Sequence, residues 1–337
     1  MKDRDGFAVS FLHDLACLLA PRLRLIWSSG PLGWLQNCHA QMNKDYSASA
    51  LAAGDSVRIV AARTTVLVSE AQARHDCSPT VTAALGRLLT GAALMGTLLS
   101  GRERITLQVA GDGPVRGLVA DVTTGGRVRG YPLRPRAEIP LNARGKFNVA
   151  GLVGRGSLHV TRTFDTGLPY TSAVPLASGE VGDDLAHYFV HSEQLPSVVA
   201  VGVLANPQGV AAAGGFFAHL LPGANEGTIG LLEETVAQLP HPSSMIREGL
   251  LPEDIIARVG QDLAPRVTHV APVNFTCSCN RERVTRVLVG LGTAELAQMA
   301  NAETETEVTC DFCGQRYHFA PQEIGELLES ARQRSYP

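Results

Sequence analysis

Four of the seven cysteines fall in two tight pairs near the C-terminus, Cys277 and Cys279 in FTCSCNRERV and Cys310 and Cys313 in VTCDFCGQRY. Thirty residues separate the pairs. This is the layout of a closed four-thiolate metal site. A tetrahedral Zn²⁺ takes four sulfurs at about 2.3 Å, and one- or two-residue spacers let each knuckle offer two of them. Gly314, directly after the second pair, suits a knuckle turn that needs unusual backbone angles. Iron–sulfur chemistry also uses four thiolates and is the minor alternative. His318 is read as a packing residue on a short strand in preference to a substitute ligand. One zinc ion per chain, held in the reduced state by Cys277, Cys279, Cys310 and Cys313, is the expectation.

Such pairs mean metal or redox chemistry where ordinary disulfides are not expected. The first fifty residues carry no clean export signal. FAVSFLHDLACLLAPRLRLIW is apolar, but His13, Asp14, Arg22 and Arg24 interrupt it, and no small-residue cleavage site follows. No apolar run reaches the roughly 18–20 residues that span a bilayer. The expectation is a cytoplasmic protein with no membrane partner. Cys77 stands just before Ser78, a helix N-cap, where a thiol can be reactive; a small, half-buried filler is the preferred reading, as for Cys17 and Cys38.

The elements that would position the knuckles follow from texture along the 337 residues, 45% of them hydrophobic. Residues 1–55 are read as an N-terminal extension outside the main fold, either disordered or a short amphipathic helix, with Met42 an alternative start. Residues 56–226 read as an α/β core domain with a mostly antiparallel sheet. VRIVAARTTVLV is expected to be a strand, and Ser78-Pro79 then caps a largely buried helix, TVTAALGRLLTGAALMGTLLS. Its small residues are read as packing. RITLQVA, VRGLVADV, GRVRGYPL, GSLHVTRTF and PYTSAVPLAS follow as strands. The helix DDLAHYFVHSEQLPS comes next, then the strands SVVAVGVLA and GVAAAGGFFAHLL. The glycine stretches GDGPVRG and GLVGRG lead into strands and not into a helix N-terminus, so they read as turns and not as phosphate loops.

Residues 227–270 read as a helical linker, because TIGLLEETVAQL and PEDIIARVGQDL carry Leu and Ile on one face and charges on the other. Two short helices need something to lean on. The expectation is that they lie on the sheet of the core domain, with Leu231, Leu232, Ile255 and Ile256 inward. Residues 271–330 then form the small zinc unit, with TAELAQMANA as a helix, YHF as a strand and PQEIGELLESA as a last helix before a tail at 331–337. A unit of this size with few aromatics relies on metal for part of its stability. The overall class is α+β.

The motifs CSCNRER and CDFCGQRYHF closely resemble the CxCxRER and CxYCxxxYxF pattern of the redox-regulated bacterial holdase chaperones, the thirty-three-kilodalton heat-shock family. The likeness extends through YFVHSEQLPS, GGFFAHLLPGA and VTAALGRLLTGAALMGTLL, and covers about residues 57 to 330. Phe312 stands where tyrosine is frequent. The resemblance implies an ATP-independent chaperone, inactive when reduced and zinc-bound, whose active form is a homodimer that binds unfolded clients. It implies that oxidation forms the disulfides Cys277–Cys279 and Cys310–Cys313, releases the zinc and unfolds the C-terminal region. A ring closed across one residue is tight and easily reduced, so Cys310–Cys313 is expected to form first.

Two other functions compete. A zinc-ribbon nucleic-acid module needs a positive surface, yet residues 271–337 hold six Lys or Arg against nine Asp or Glu. A thiol-disulfide oxidoreductase places Cys-x-x-Cys at a helix N-terminus, whereas a glycine and a strand-like run follow Cys313. A hydrolase is set aside for want of a nucleophile elbow and of a metal-binding histidine pair with helical spacing. No enzyme and no nucleic-acid partner is expected.

Overall fold

The computed structural model describes residues 44–225 and 227–334. The apolar N-terminal segment, Cys17, Cys38 and Met42 lie outside them.

Alternation decides the architecture. β1 (Tyr46–Ala52), β2 (Val57–Arg63), β8 (Ser197–Asn206), β9 (Gly209–Leu220) and β10 (Arg266–Pro272) form a five-stranded antiparallel sheet in the order β10-β1-β2-β9-β8. In β2, Val57, Ile59 and Ala61 enter one apolar cluster while Val60 and Ala62 enter another. β9 divides likewise, Phe216 and Ala218 to one side and Phe217 to the other. Side chains two apart share a face, so a strand apolar at every position must be covered on both sides.

One side is covered by α2 (Pro79–Gly96), flanked by α1 (Thr65–His75) and α4 (Val181–His191). Ser78 Oγ accepts the Val81 N–H at 3.4 Å and Pro79 holds the first turn. The glycines of α2 serve packing, as expected. A Cβ at Gly91 would meet Leu185, one at Gly96 would meet Val122, and one at Gly86 would meet Val68 and Val203. Beyond α2 lies the second sheet. It consists of β3 (Arg104–Gly111), β4 (Gly117–Thr123), β5 (Arg127–Pro132), β6 (Gly156–Thr163), β7 (Tyr170–Pro175) and β11 (Asn274–Phe275), in the order β11-β5-β4-β3-β6-β7. The glycine stretches pack on each other beside the short α3 (Val149–Val153), with Gly113 N–H donating to Val153 O at 2.9 Å, and β4 and β6 follow them.

The other side of the first sheet is covered by the linker: α5 (Gly227–Gln238), α6 (Pro242–Arg247) and α7 (Pro252–Val259). In α7, Pro252, Ile255, Ile256 and Val259 are buried at helical spacing, and Asp254 accepts the Leu251 N–H at 3.0 Å. Tyr46 Oη donates to Glu253 at 2.8 Å, tying α7 to β1. Each fully buried aliphatic side chain here contributes roughly 1.5–3 kcal/mol of transfer free energy.

Several expectations are corrected. β1 belongs to the core sheet, so the core begins at residue 45 and not 56; its YSASALA segment carries too few β-branched residues to read as a strand. Asp45, within the supposed extension, accepts the Leu67 N–H at 2.6 Å at the start of α1. TTVLV continues into α1 and not the strand, because Leu67, Val68 and Ala71 fall on one helical face against the core. The linker ends sooner than residue 270, since 266–272 return as β10 against β1. PHPSSMIREGL holds the extra helix α6. Leu232 is fully buried, but Leu231 is 37% exposed, one helical position out of the inward face.

Candidate metal centre

The remaining chain forms a small unit: α8 (Arg281–Gly290), α9 (Thr293–Ala300), the hairpin β12 (Thr306–Thr309) and β13 (Arg316–Phe319), and α10 (Pro321–Arg334). Its core is Val284, Leu288, Leu296, Phe319, Ile324, Leu328 and Ala331. The knuckles sit outside that core. Cys277 and Cys279 lie between β11 and α8, where Asn280 caps the helix by accepting the Arg283 N–H at 2.8 Å. Cys310 and Cys313 lie in the β12–β13 turn. There Cys310 O accepts from Cys313 N–H at 3.2 Å and Gly314 N–H at 2.8 Å. Gly314 has φ 71°, and a Cβ there would press on Arg74 O. Only glycine meets both conditions.

The four sulfurs lie within 4.8 Å of one another. Cys277 Sγ and Cys310 Sγ are 3.8 Å apart, Cys279 Sγ and Cys313 Sγ 3.3 Å. Four sulfurs 2.3 Å from a shared centre would stand about 3.8 Å apart, so the cluster fits a tetrahedral ion. The electrostatics agree. Burial pushes the Cys310 and Cys313 thiols up. Burial also opposes ionisation of Cys277, but hydrogen bonds from the Cys279 backbone, Arg129, Cys279 and Cys313 outweigh it and bring it to about 7. Four adjacent thiols cannot all ionise unaided; a divalent cation among them is what makes four thiolates compatible. The donor set therefore fits zinc. His318 stands apart, half-exposed beside Glu305 and Glu307. Cys77 is buried, its thiol pushed up to about 12 mainly by desolvation, which suits a filler and not a nucleophile.

Cys277, Cys279 and Cys313 line an open groove of about 390 Å³ with Arg74, Phe275, Thr276, Gln315 and Tyr317. The knuckles also rest on the second sheet and on the end of α1. Arg129, on β5, donates from Nη1 to Cys277 Sγ at 3.5 Å, and its guanidinium lies 3.9 Å from the centre of the Phe312 ring. Tyr131 meets the same ring edge-on at 5.0 Å. His75 Nε2 lies 3.0 Å from Gly130 O and 3.2 Å from Phe312 O, so it carries the hydrogen that both carbonyls share. Arg74 Nη1 donates to Cys313 O at 3.3 Å. Sequence reading missed this docking surface. Its one signal is the pair of arginines, Arg127 and Arg129, within the strand GRVRGYPL.

His187 and His191 stand one turn apart on α4, rings stacked at 3.9 Å. Among the described residues no third ligand joins them, and the cysteines are the one candidate metal group.

Comparison with known proteins agrees with this geometry. The Hsp33 protein family matches residues 45–320. The 33 kDa chaperonin of Desulforamulus reducens is 42% identical over 287 residues, 85% of this chain and 98% of that protein. The 33 kDa chaperonin of Geobacillus kaustophilus is 44% identical over 291 residues, covering 86% and 99%. Among solved structures, the crystal structure of the 33 kDa chaperonin of Thermotoga maritima superposes with a TM-score of 0.81 at 37% identity, covering 86% of this chain and 99% of that one.

Proposed function

Since the chain belongs to the Hsp33 family, we propose that it is a redox-regulated, ATP-independent holdase that binds unfolded proteins once its cysteines are oxidised. The observation that carries the reading is the four-sulfur cluster, three of whose cysteines line a groove open to solvent while its unit rests on the core domain. Cys277, Cys279, Cys310 and Cys313 would hold one zinc ion. When bound, zinc supplies a structural cross-link between the two knuckles. The chain's own chemistry is thiol oxidation. Two thiolates, one molecule of hydrogen peroxide and two protons give one disulfide and two waters, the sulfurs losing the two electrons. The disulfides assigned are Cys310–Cys313 and Cys277–Cys279.

Each disulfide removes two donors and their charge together. The oxidised chain then no longer holds the ion. Structural zinc contributes roughly 10–16 kcal/mol in small peptides, against about 5–15 kcal/mol for the net stability of a whole domain. A core of seven buried side chains cannot make up that loss, so the unit unfolds. Residues 271–330 thus act as the redox switch and 227–263 as the linker it releases. With α5, α6 and α7 detached, Leu232, Met245, Ile255 and Ile256 and the sheet face beneath them become an apolar surface for unfolded clients. The active form is assigned as a homodimer and the compartment as the reducing cytoplasm, and no catalytic role is assigned. Among the described residues no helix is long and apolar enough to cross a membrane.

The test is metal release titrated against peroxide, run beside suppression of aggregation of a chemically unfolded protein. Both should rise together. A reduced protein already at full holdase strength would refute the proposal.

A further inference from the structure

Among the core-domain side chains that meet the switch unit, Arg129 contacts a switch sulfur directly. Arg129 is held from behind by Asp121: Nε and Nη2 each reach Asp121 Oδ2 at 2.8 Å. Both side chains are nearly buried, at 9% and 4% exposure. Asp121 is itself fixed by the Thr106 hydroxyl at 3.0 Å and lies 3.6 Å from Arg104. The guanidinium therefore presents Nη1 to Cys277 and one face to Phe312 with little freedom to turn away. The neighbouring backbone repeats the contact: β11 pairs with β5, Asn274 N–H donating to Gly126 O at 2.9 Å and Thr276 N–H to Val128 O at 2.8 Å.

We propose that Arg129 is a positioning residue that ties docking of the switch unit on the second sheet to the negative charge on Cys277, so that the core domain takes part in setting the oxidation threshold. The proposal rests on the redox reading above and names its regulation. A hydrogen bond from a guanidinium to a thiolate is charge-assisted; one to a disulfide sulfur is not. Conversion of Cys277 and Cys279 from two thiolates to one disulfide, with two electrons passing to the peroxide, removes the partner Arg129 is built to meet. Linkage makes the effect reciprocal: whatever docks the thiolate form preferentially also makes the thiolate form harder to oxidise. The Phe312 ring adds a cation–π contact on the same guanidinium and brings the second knuckle under the same control.

The experiment is hydrogen exchange on the reduced, zinc-loaded full chain, read at the amides of Asn274 and Thr276 and within α8–α10. Arg129→Gln alone strands the Asp121 carboxylate in a buried site, so the variant is Asp121→Asn with Arg129→Gln. Phe312→Ala, which leaves the Asp121–Arg129 pair intact, is the second variant. Exchange at the two amides should quicken roughly tenfold in both, the scale of a lost charged hydrogen bond, while α8–α10 stay protected. The midpoint of Cys277–Cys279 formation in a glutathione buffer should move by a similar factor towards reducing conditions in the double variant, with Arg129→Lys in between. Unchanged exchange at Asn274 and Thr276 would overturn the proposal. So would quickening spread evenly through α8–α10, which would mean that Arg129 only stabilises the unit. If the amides respond as stated but the oxidised protein fails to suppress aggregation, the docking link stands and the holdase reading falls.

Discussion

Gly202 and Gly214 are register partners across β8 and β9, and together they form the floor on which α6 sits. A Cβ on Gly202 would strike the His241 ring, and one on Gly214 would strike the Ile246 side chain and Ala62 O. The linker is held close to the sheet because that floor is bare.

Gly202→Ala fills the space of the imidazole with a methyl group while its backbone angles remain ordinary. Overpacking of this kind costs about 1–3 kcal/mol, here charged to linker docking and not to the core beyond the sheet. The reduced variant should bind a hydrophobic dye and suppress aggregation before any oxidant is added. Unaltered dye binding would show that α6 has room to shift.

Ile256→Ala addresses the same docking from α7. Ile256 is buried against the sheet face, and its truncation should weaken the linker by about 3 kcal/mol. Less oxidant should then be needed for full holdase activity. Leu231→Ala, on an already exposed position of α5, should leave the titration curve where it is.

Acid should loosen the linker too. Burial holds His241 below the ordinary histidine value, and the nearby Arg87 and Lys146 push it the same way. A base whose folded value is depressed stays neutral in the docked state while the released state takes up a proton. Docking is therefore at full strength above about pH 6.5 and weakens as pH falls below it. Linker hydrogen exchange followed from pH 7.5 to 5.5 should quicken beyond the intrinsic pH effect, and His241→Gln should flatten that excess.

Graded peroxide followed by peptide mass mapping should show Cys310–Cys313 ahead of Cys277–Cys279, because a ring closed across the single Ser278 is tighter. In the same samples Cys77 should resist alkylation until the chain is denatured. Early appearance of the Ser278-bridged pair would reverse the assigned order.

What could be read in advance follows from how local each signal is. The knuckles, the capped helix α2 and the β3–β4–β5 meander are written in spacings of a few residues, and the structure places them as read. β1 and β10 are not legible: β1 alternates only serine with alanine and has no β-branched residue to mark it as a strand, and β10 is exposed along nearly its whole length. The β-branched start of α1 favours a strand, and packing of Leu67, Val68 and Ala71 overrides that preference. At the metal centre the ligands were plain, but Arg129 meets Cys277 across 148 positions of chain, a distance no local pattern spans.

β10 joins the linker to the knuckles, and it is held to β1 almost wholly by main-chain bonds, with Val267 and Val270 facing water. Past Val273, which is buried in the core at its knuckle end, β10 itself buries no apolar side chain, so beyond that anchor the strand would leave β1 by losing main-chain rungs alone. Once gone, it leaves β1 as a bare border of amides and carbonyls beside freshly uncovered apolar ground, and an extended foreign peptide laid there would find both kinds of grip at once.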